Sequence, residues 1–171
     1  MLRQIIEWRI DVSARELGGS MDYIKDILRS SFPAFRRFIR IFSISNYRGK
    51  LPADAYHIAR IVAARDEDCG TCVQVEVNLA IKAGVRSEVL QAVIRSSPHS
   101  LPTPLGALYC FVEAVVQSTG EDRELRPLIV EHYGHEGLVE IALAVGASRF
   151  LPICKRTLGH ATKCSIVKIE L

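Results

Sequence analysis

Two cysteines, Cys69 and Cys72, stand as a C-x-x-C, with the carboxylate of Glu76 one helical turn beyond the second of them and an imidazole, His57, upstream. Thiols at that spacing lie close enough for one to attack a substrate while the other resolves the mixed disulfide or sulfenic acid. The nucleophile is the thiolate, and the free N–H groups and dipole of a helix N-terminus stabilise it. Asp68 reads as the N-cap of a helix that stops at Gly84, which puts Cys69 at the first helical position and Cys72 one turn on. Asp66, Glu67 and Asp68 oppose this effect with negative charge. A carboxylate and an imidazole near a dithiol could remove and return the proton the chemistry needs, so His57 and Glu76 are read as an acid–base pair.

Plainer readings stand beside these. Cys69 and Cys72 could be two small core residues, and a structural zinc site would call for a second pair, which Cys154 and Cys164 do not supply. Glu76 could be satisfied by an arginine from another helix. His57, at the edge of an apolar stripe beside Ile61 and Ala64, could simply be packed. His132 and His135 bracket Gly134 at a helix end, and Cys110 within Leu108–Val112 reads as a buried apolar residue. Arg36, Arg37 and Arg40 alternate with Phe35, Phe38 and Phe42, a pattern that an amphipathic helix explains better than contact with nucleic acid.

The elements that position these groups are helices. A helical region is expected over 22–44, broken near Pro33. After a turn at Asn46–Lys50, Pro52 opens a helix through Arg65 whose buried stripe is Ala55, Ile58, Ile61 and Val62. Ser87 caps another through Ser96, and Ser97–Pro104 is a loop. Helices follow near 105–118, 121–133 and 136–159, the last divided at Pro152. Val73–Lys82 alternates almost strictly and by period alone is a strand. Its length, the lack of a partner strand and the polar stripe Gln74, Asn78, Lys82 favour helix. Glu76 then lies on an apolar face with Cys72, Val73, Leu79, Ala80 and Ala83, where a charge needs a donor, a proton or an escape to solvent.

The bulk numbers bound the reading. With 171 residues, 49% of them hydrophobic and 24% charged, the chain has the composition of one folded domain. A net charge of +3 gives no reason to expect nucleic acid or an acidic membrane as partner. The opening MLRQIIEWRIDVSARE alternates apolar and charged residues and does not resemble a secretory signal, and no apolar run looks long enough to span a bilayer. A cytoplasmic location is expected. Five irregularly spaced cysteines agree with a reducing compartment, where C-x-x-C means a reactive dithiol or a metal site more often than a static crosslink.

The stretch from His57 through Arg60, Asp66, Cys69, Cys72 and Glu76, with the following Ala80-x-x-Ala83-Gly84-Val85, resembles the core signature of the alkylhydroperoxidase D-like/carboxymuconolactone decarboxylase family. In its redox-active members a helix bearing a Glu leads into C-x-x-C, with a His one turn after the second cysteine. Here His57 stands at the Glu position and Glu76 at the His position, so the two partners are exchanged. Thr71 stands where the family often has an aromatic residue. The resemblance is close over Pro52–Val89, looser around Glu131–Glu140, and adds little over the first fifty residues. It implies an all-α fold, subunits that assemble as oligomers, and reduction of peroxides by the cysteine pair; the family's decarboxylase branch lacks that pair.

The expectation is therefore an all-α, single-domain helical bundle over 1–171, with N-terminal helices in 1–50 and the family-like core in 51–171. Its expected activity is that of a thiol-dependent peroxidase or disulfide reductase, with Cys69, Cys72, Glu76 and His57 as catalytic residues and no cofactor or metal. Its expected partners are a small peroxide or disulfide, an electron donor and further copies of itself, because Phe32–Phe42 and Leu138–Val145 carry more apolar surface than one layer of packing covers. The alternative is a non-catalytic oligomeric scaffold or redox sensor that keeps the fold.

Overall fold

A computed structural model describes residues 1–161, and those residues form an all-α structure: α1 (Leu2–Leu17), α2 (Asp22–Ser30), α3 (Phe32–Phe38), α4 (Ile41–Ser45), α5 (Ala53–Asp66), α6 (Gly70–Lys82), α7 (Ser87–Ile94), α8 (Thr103–Gln117) and α9 (Asp122–Thr157), with one 3-10 turn at Pro98–Ser100. Cys164 lies outside the described residues.

The centre is α5. Every residue from Ala55 to Ala64 is buried, so this helix is surrounded on all sides, as an apolar helix inside a bundle must be. Ala55, Ala59, Ala63 and Ala64 keep it thin, and α6, α8 and α9 close around it. Ile58 and Ile61 are fully buried among them, each contributing about 1.5–3 kcal/mol of hydrophobic stabilisation. A second, smaller cluster gathers Tyr23, Ile24, Leu28 and Phe35 from α2 and α3, with Ile6 and Ile10 of α1 packed against it.

Several boundaries differ from expectation for local reasons. The alternating opening is a helix, α1, whose half-buried residues Ile6, Ile10 and Leu17 face inward while Ile5 and Trp8 are exposed. Apolar residues on both faces produced the apparent period of two. The 22–44 region falls into three helices, and its first break comes at Ser31, not at Pro33. The extended Ser31 caps α3, its hydroxyl accepting from Ala34 N–H at 3.3 Å, and Pro33 sits in the first turn, where no donor is needed. Pro152 does not divide the last helix, whereas the break expected between 133 and 136 is there, at Gly134, with φ 71° and ψ 174°. Val73–Lys82 is helical throughout, and Gln74 donates to Asn78 at 2.9 Å along the expected polar stripe.

By length and composition alone, α9 is long and apolar enough to cross a membrane, contrary to the expectation that no run is. Between Gly137 and Cys154 its charges are Glu140 and Arg149, and 44% of the apolar window is buried inside the protein. Glu140 explains part of that burial. Its carboxylate accepts the backbone N–H groups of Gly49, Lys50 and Leu51 at 2.8–3.1 Å, anchoring α9 to the turn before α5. Burial alone would raise the pKa of this carboxyl, but the three N–H bonds outweigh it and hold it below the ordinary value.

Candidate functional site

The turn between α5 and α6 carries the cysteines. Asp68 takes a left-handed conformation (φ 49°) and Cys69, not Asp68, is the N-cap of α6, so Cys72 falls in its first turn. The carbonyl of Cys69 accepts from Cys72 N–H at 2.8 Å and Val73 N–H at 3.0 Å. Cys69 and Cys72 are joined as a disulfide, with their Cα atoms 5.2 Å apart. From α9, Arg149 donates to Glu67 at 2.7 Å and pairs with Asp66 at 3.2 Å, and Arg156 reaches both the carboxylate and the carbonyl of Glu67. The acidic residues before the cysteines are thus partly neutralised by α9, and the same contacts fix the turn.

The two sulfurs have different surroundings. Cys69 is buried, and its Sγ lies 3.7 Å from the Thr71 hydroxyl. That hydroxyl accepts from the ammonium of Lys155 at 2.6 Å, which leaves its own proton available to the sulfur. Cys72 is half-buried and lines a chamber of about 560 Å³ between α1–α4 and the faces of α6 and α9. Lys155, Pro152 and Ser148 follow one face of α9 into the same wall, and Thr71, Cys72, Val75, Glu76 and Leu79 do so on α6.

Glu76 is buried and fully engaged by an arginine. Arg60 donates through Nε to Oε2 at 2.6 Å and through Nη2 to Oε1 at 2.8 Å, a bidentate pair. The remaining Nη1 bonds the Ser45 hydroxyl and Tyr56 hydroxyl, each at 2.9 Å, and the Ser45 carbonyl. A cation at the last carbonyls of α4 satisfies acceptors that a helix C-terminus leaves open. Burial would lower the Arg60 pKa; the Glu76 carboxylate outweighs it and raises the pKa. This network ties α4, α5 and α6 together one turn from Cys72.

His57 is elsewhere. Its ring is buried edge-on to Tyr56, with ring centroids 5.2 Å apart, and Nδ1 has no hydrogen-bond partner. Burial, with the charges of Arg60 and Arg48, brings its pKa down to about 4. No hydrogen bond or ion pair joins it to Glu76, whose oxygens are held by Arg60, and His57 does not line the chamber. Of the four expected site residues, the structure joins Cys69 and Cys72, holds Glu76 in an ion pair with Arg60 one turn from Cys72, and gives His57 no hydrogen bond to any of the three.

Sequence reasoning passed over Lys155, Ser148 and the identity of the arginine, and it marked Thr71 only as a departure from the family's aromatic position, not as a partner of Cys69. Arg60 was recoverable: a basic residue inside a run as apolar as Ala55–Ala64 needs a buried partner, and Glu76 on the apolar face of α6 is the complementary signal. Lys155 carried no such mark, because a lysine near a helix end is usually solvated.

Cys110 is half-buried, packed against the main core, and burial raises its thiol pKa. Cys154 is also half-buried with its pKa raised by burial. His132 and His135 are exposed on either side of the Gly134 kink. No family model, curated protein or solved structure matches this chain.

Proposed function

We propose that this protein is a thiol-dependent oxidoreductase that reduces a peroxide, or a small disulfide, by cycling Cys69 and Cys72 between dithiol and disulfide. The observation that carries this reading is the bonded pair at the N-terminus of α6 with one of its residues, Cys72, in the wall of a chamber. The resemblance of His57–Val85 to the alkylhydroperoxidase D-like family supports it from the sequence side.

In this scheme Cys72 is the attacking thiolate, because it borders the chamber while Cys69 is buried. With a hydroperoxide, sulfur attacks the terminal oxygen, an S–O bond forms, the O–O bond breaks, and the departing alkoxide takes up a proton. The Cys69 thiol then attacks the sulfenic sulfur, and water leaves as the disulfide closes. An external dithiol restores the pair by attacking the sulfur of Cys72, expelling Cys69 as thiolate. Thr71 donates a hydrogen bond to that thiolate, and Lys155 behind it supplies positive charge and a proton source. A leaving thiolate stabilised in this way leaves faster.

The test is consumption of cumene hydroperoxide by the purified protein with dithiothreitol as donor. Cys72→Ser should abolish turnover, and Cys69→Ser should leave a sulfenic acid at Cys72 that dimedone traps. A wild-type rate no greater than that of Cys72→Ser would overturn the reading.

A second reading, a redox sensor on the same scaffold, is favoured by one observation. Both oxygens of Glu76 are held by Arg60, and no hydrogen bond joins Glu76 to His57. Stoichiometric oxidation without turnover in the same assay would select it. In either case the protein works as a homo-oligomer in a reducing compartment.

A further inference from the structure

The chamber beside Cys72 is unlike a small-peroxide site. Its walls are supplied by Ile10, Leu17, Met21, Phe42, Val75 and Leu79 among other apolar side chains, and its volume of about 560 Å³ exceeds what a peroxide group fills. Pockets for drug-sized ligands occupy about 300–1,000 Å³, mostly apolar with a few placed polar groups. An apolar space of this kind holds water poorly, so filling it with hydrocarbon is favourable.

One polar group there is unexplained by the fold. Ser148 on α9 lines the chamber, is 2% exposed, and its hydroxyl has no hydrogen-bond partner. A buried hydroxyl without a partner costs free energy that a bound oxygen would recover. The other polar groups of the wall include Thr71 and Lys155 on the faces of α6 and α9, Arg9 and Ser13 on α1, and the paired Arg60 and Glu76. An occupant that suits both features has a long hydrocarbon body and an oxygen-bearing head.

We propose that this chamber is a binding site for a single-chain aliphatic amphiphile, its tail under α1 against Val75 and Leu79 and its head oxygen accepting the Ser148 hydroxyl. The bound chain lies over Cys72 and shields its sulfur. The site stands on the cavity and on Ser148, and it holds whether or not the cysteine pair turns over.

The test is calorimetric titration of the full chain with 1-dodecanol and with dodecanoate, which differ in head charge, and with dodecyltrimethylammonium, which has no oxygen. Both oxygen-bearing probes should bind saturably at one site, and the ammonium probe should bind at least about tenfold more weakly for want of the hydrogen bond and for like charge with Lys155. Ser148→Ala should weaken dodecanol binding about threefold to tenfold, and Ile10→Trp, which fills the chamber, should abolish it with helical content retained. Independently of any variant, saturating dodecanol should slow alkylation of Cys72 in the reduced wild-type protein while Cys154 reacts unchanged. Equal binding of all three probes would mean detergent adsorption and overturn the proposal, as would unprotected Cys72 at saturation. Dodecanol binding with no peroxide turnover would keep this site and remove only the redox reading.

Discussion

Arg60 and Glu76 form a buried ion pair whose two sides are both 3–5% exposed, and the worth of such a pair lies mainly in what its loss leaves behind. Glu76→Gln strands a guanidinium among apolar helices, and should cost about 3–5 kcal/mol in urea unfolding. Replacing both, as Arg60→Met with Glu76→Leu, should recover most of that loss, less the share owed to the open Ser45 carbonyl. A single-variant loss below about 1 kcal/mol would show the pair to be solvated and of surface type. His57 gives a pH prediction. Its folded pKa is about 4 against an ordinary 6.5, so as pH falls the unfolded chain takes up the proton first. Stability should therefore decline as pH drops below 6.5 and the loss should be complete near 4. Its full extent is on the order of 2–3 kcal/mol. Denaturant midpoints across that range for wild type and His57→Phe isolate the effect, and parallel curves would mean that the ring is not desolvated.

The helices owe their placement to a few positions where the backbone could do only one thing. Gly134 has φ 71° and ψ 174°, a region open almost only to glycine, and nothing lies within 4 Å of where a Cβ would stand. Gly134→Ala should thus destabilise by about 1–3 kcal/mol through backbone strain alone, read as a fall in thermal midpoint; an unchanged midpoint would show that α9 straightens there without penalty. The same position marks the limit of what the sequence tells. Gly134 was legible as a helix end because it combines a glycine with polar neighbours, and Pro52, Ser87 and Gly84 likewise sit at or beside observed ends. The helical state of Val73–Lys82 was legible from its polar stripe, which the Gln74–Asn78 bond realises. Pro152 misled, since a proline inside a long helix held by packing on one side and by Glu140 further back does not end it. Within the site, Cys69 and Cys72 were legible because their spacing is local. Lys155 reaches Thr71 across 84 positions of sequence, and no local pattern encodes a contact of that range.

At the scale of the molecule, α9 is asked to be apolar twice. Ile141, Ala144, Val145 and Ser148 turn inward to α5 and the chamber, while Val139 and Ile153 are 57% and 46% exposed on the other side, and Phe150, 39% exposed, lies at the edge with its ring tilted against Phe38. Ala142 and Gly146 lie exposed between them, so the outer stripe combines small and large apolar residues at helical spacing. Helices approach closely over small residues and fill the gaps beside them with large ones. A helix with two apolar faces needs cover on both, and among the described residues Val139, Ala142, Gly146 and Ile153 stay exposed. We propose that their cover is another copy of this chain, packed α9 against α9 as a two-fold dimer or as one contact of a larger ring. Light scattering at micromolar concentration should then give a mass at least twice the 19.0 kDa of one chain. Gly146→Glu, on the exposed stripe where no atom lies within 4 Å of an added Cβ, should shift the mass to that of the monomer with helical content unchanged. Because Ser148 and Lys155 approach the chamber from the inner face of α9, the dissociated variant should keep its dodecanol affinity. Loss of that affinity on dissociation would place part of the chamber wall in the partner, and a monomeric wild type would leave the outer stripe of α9 to some other surface.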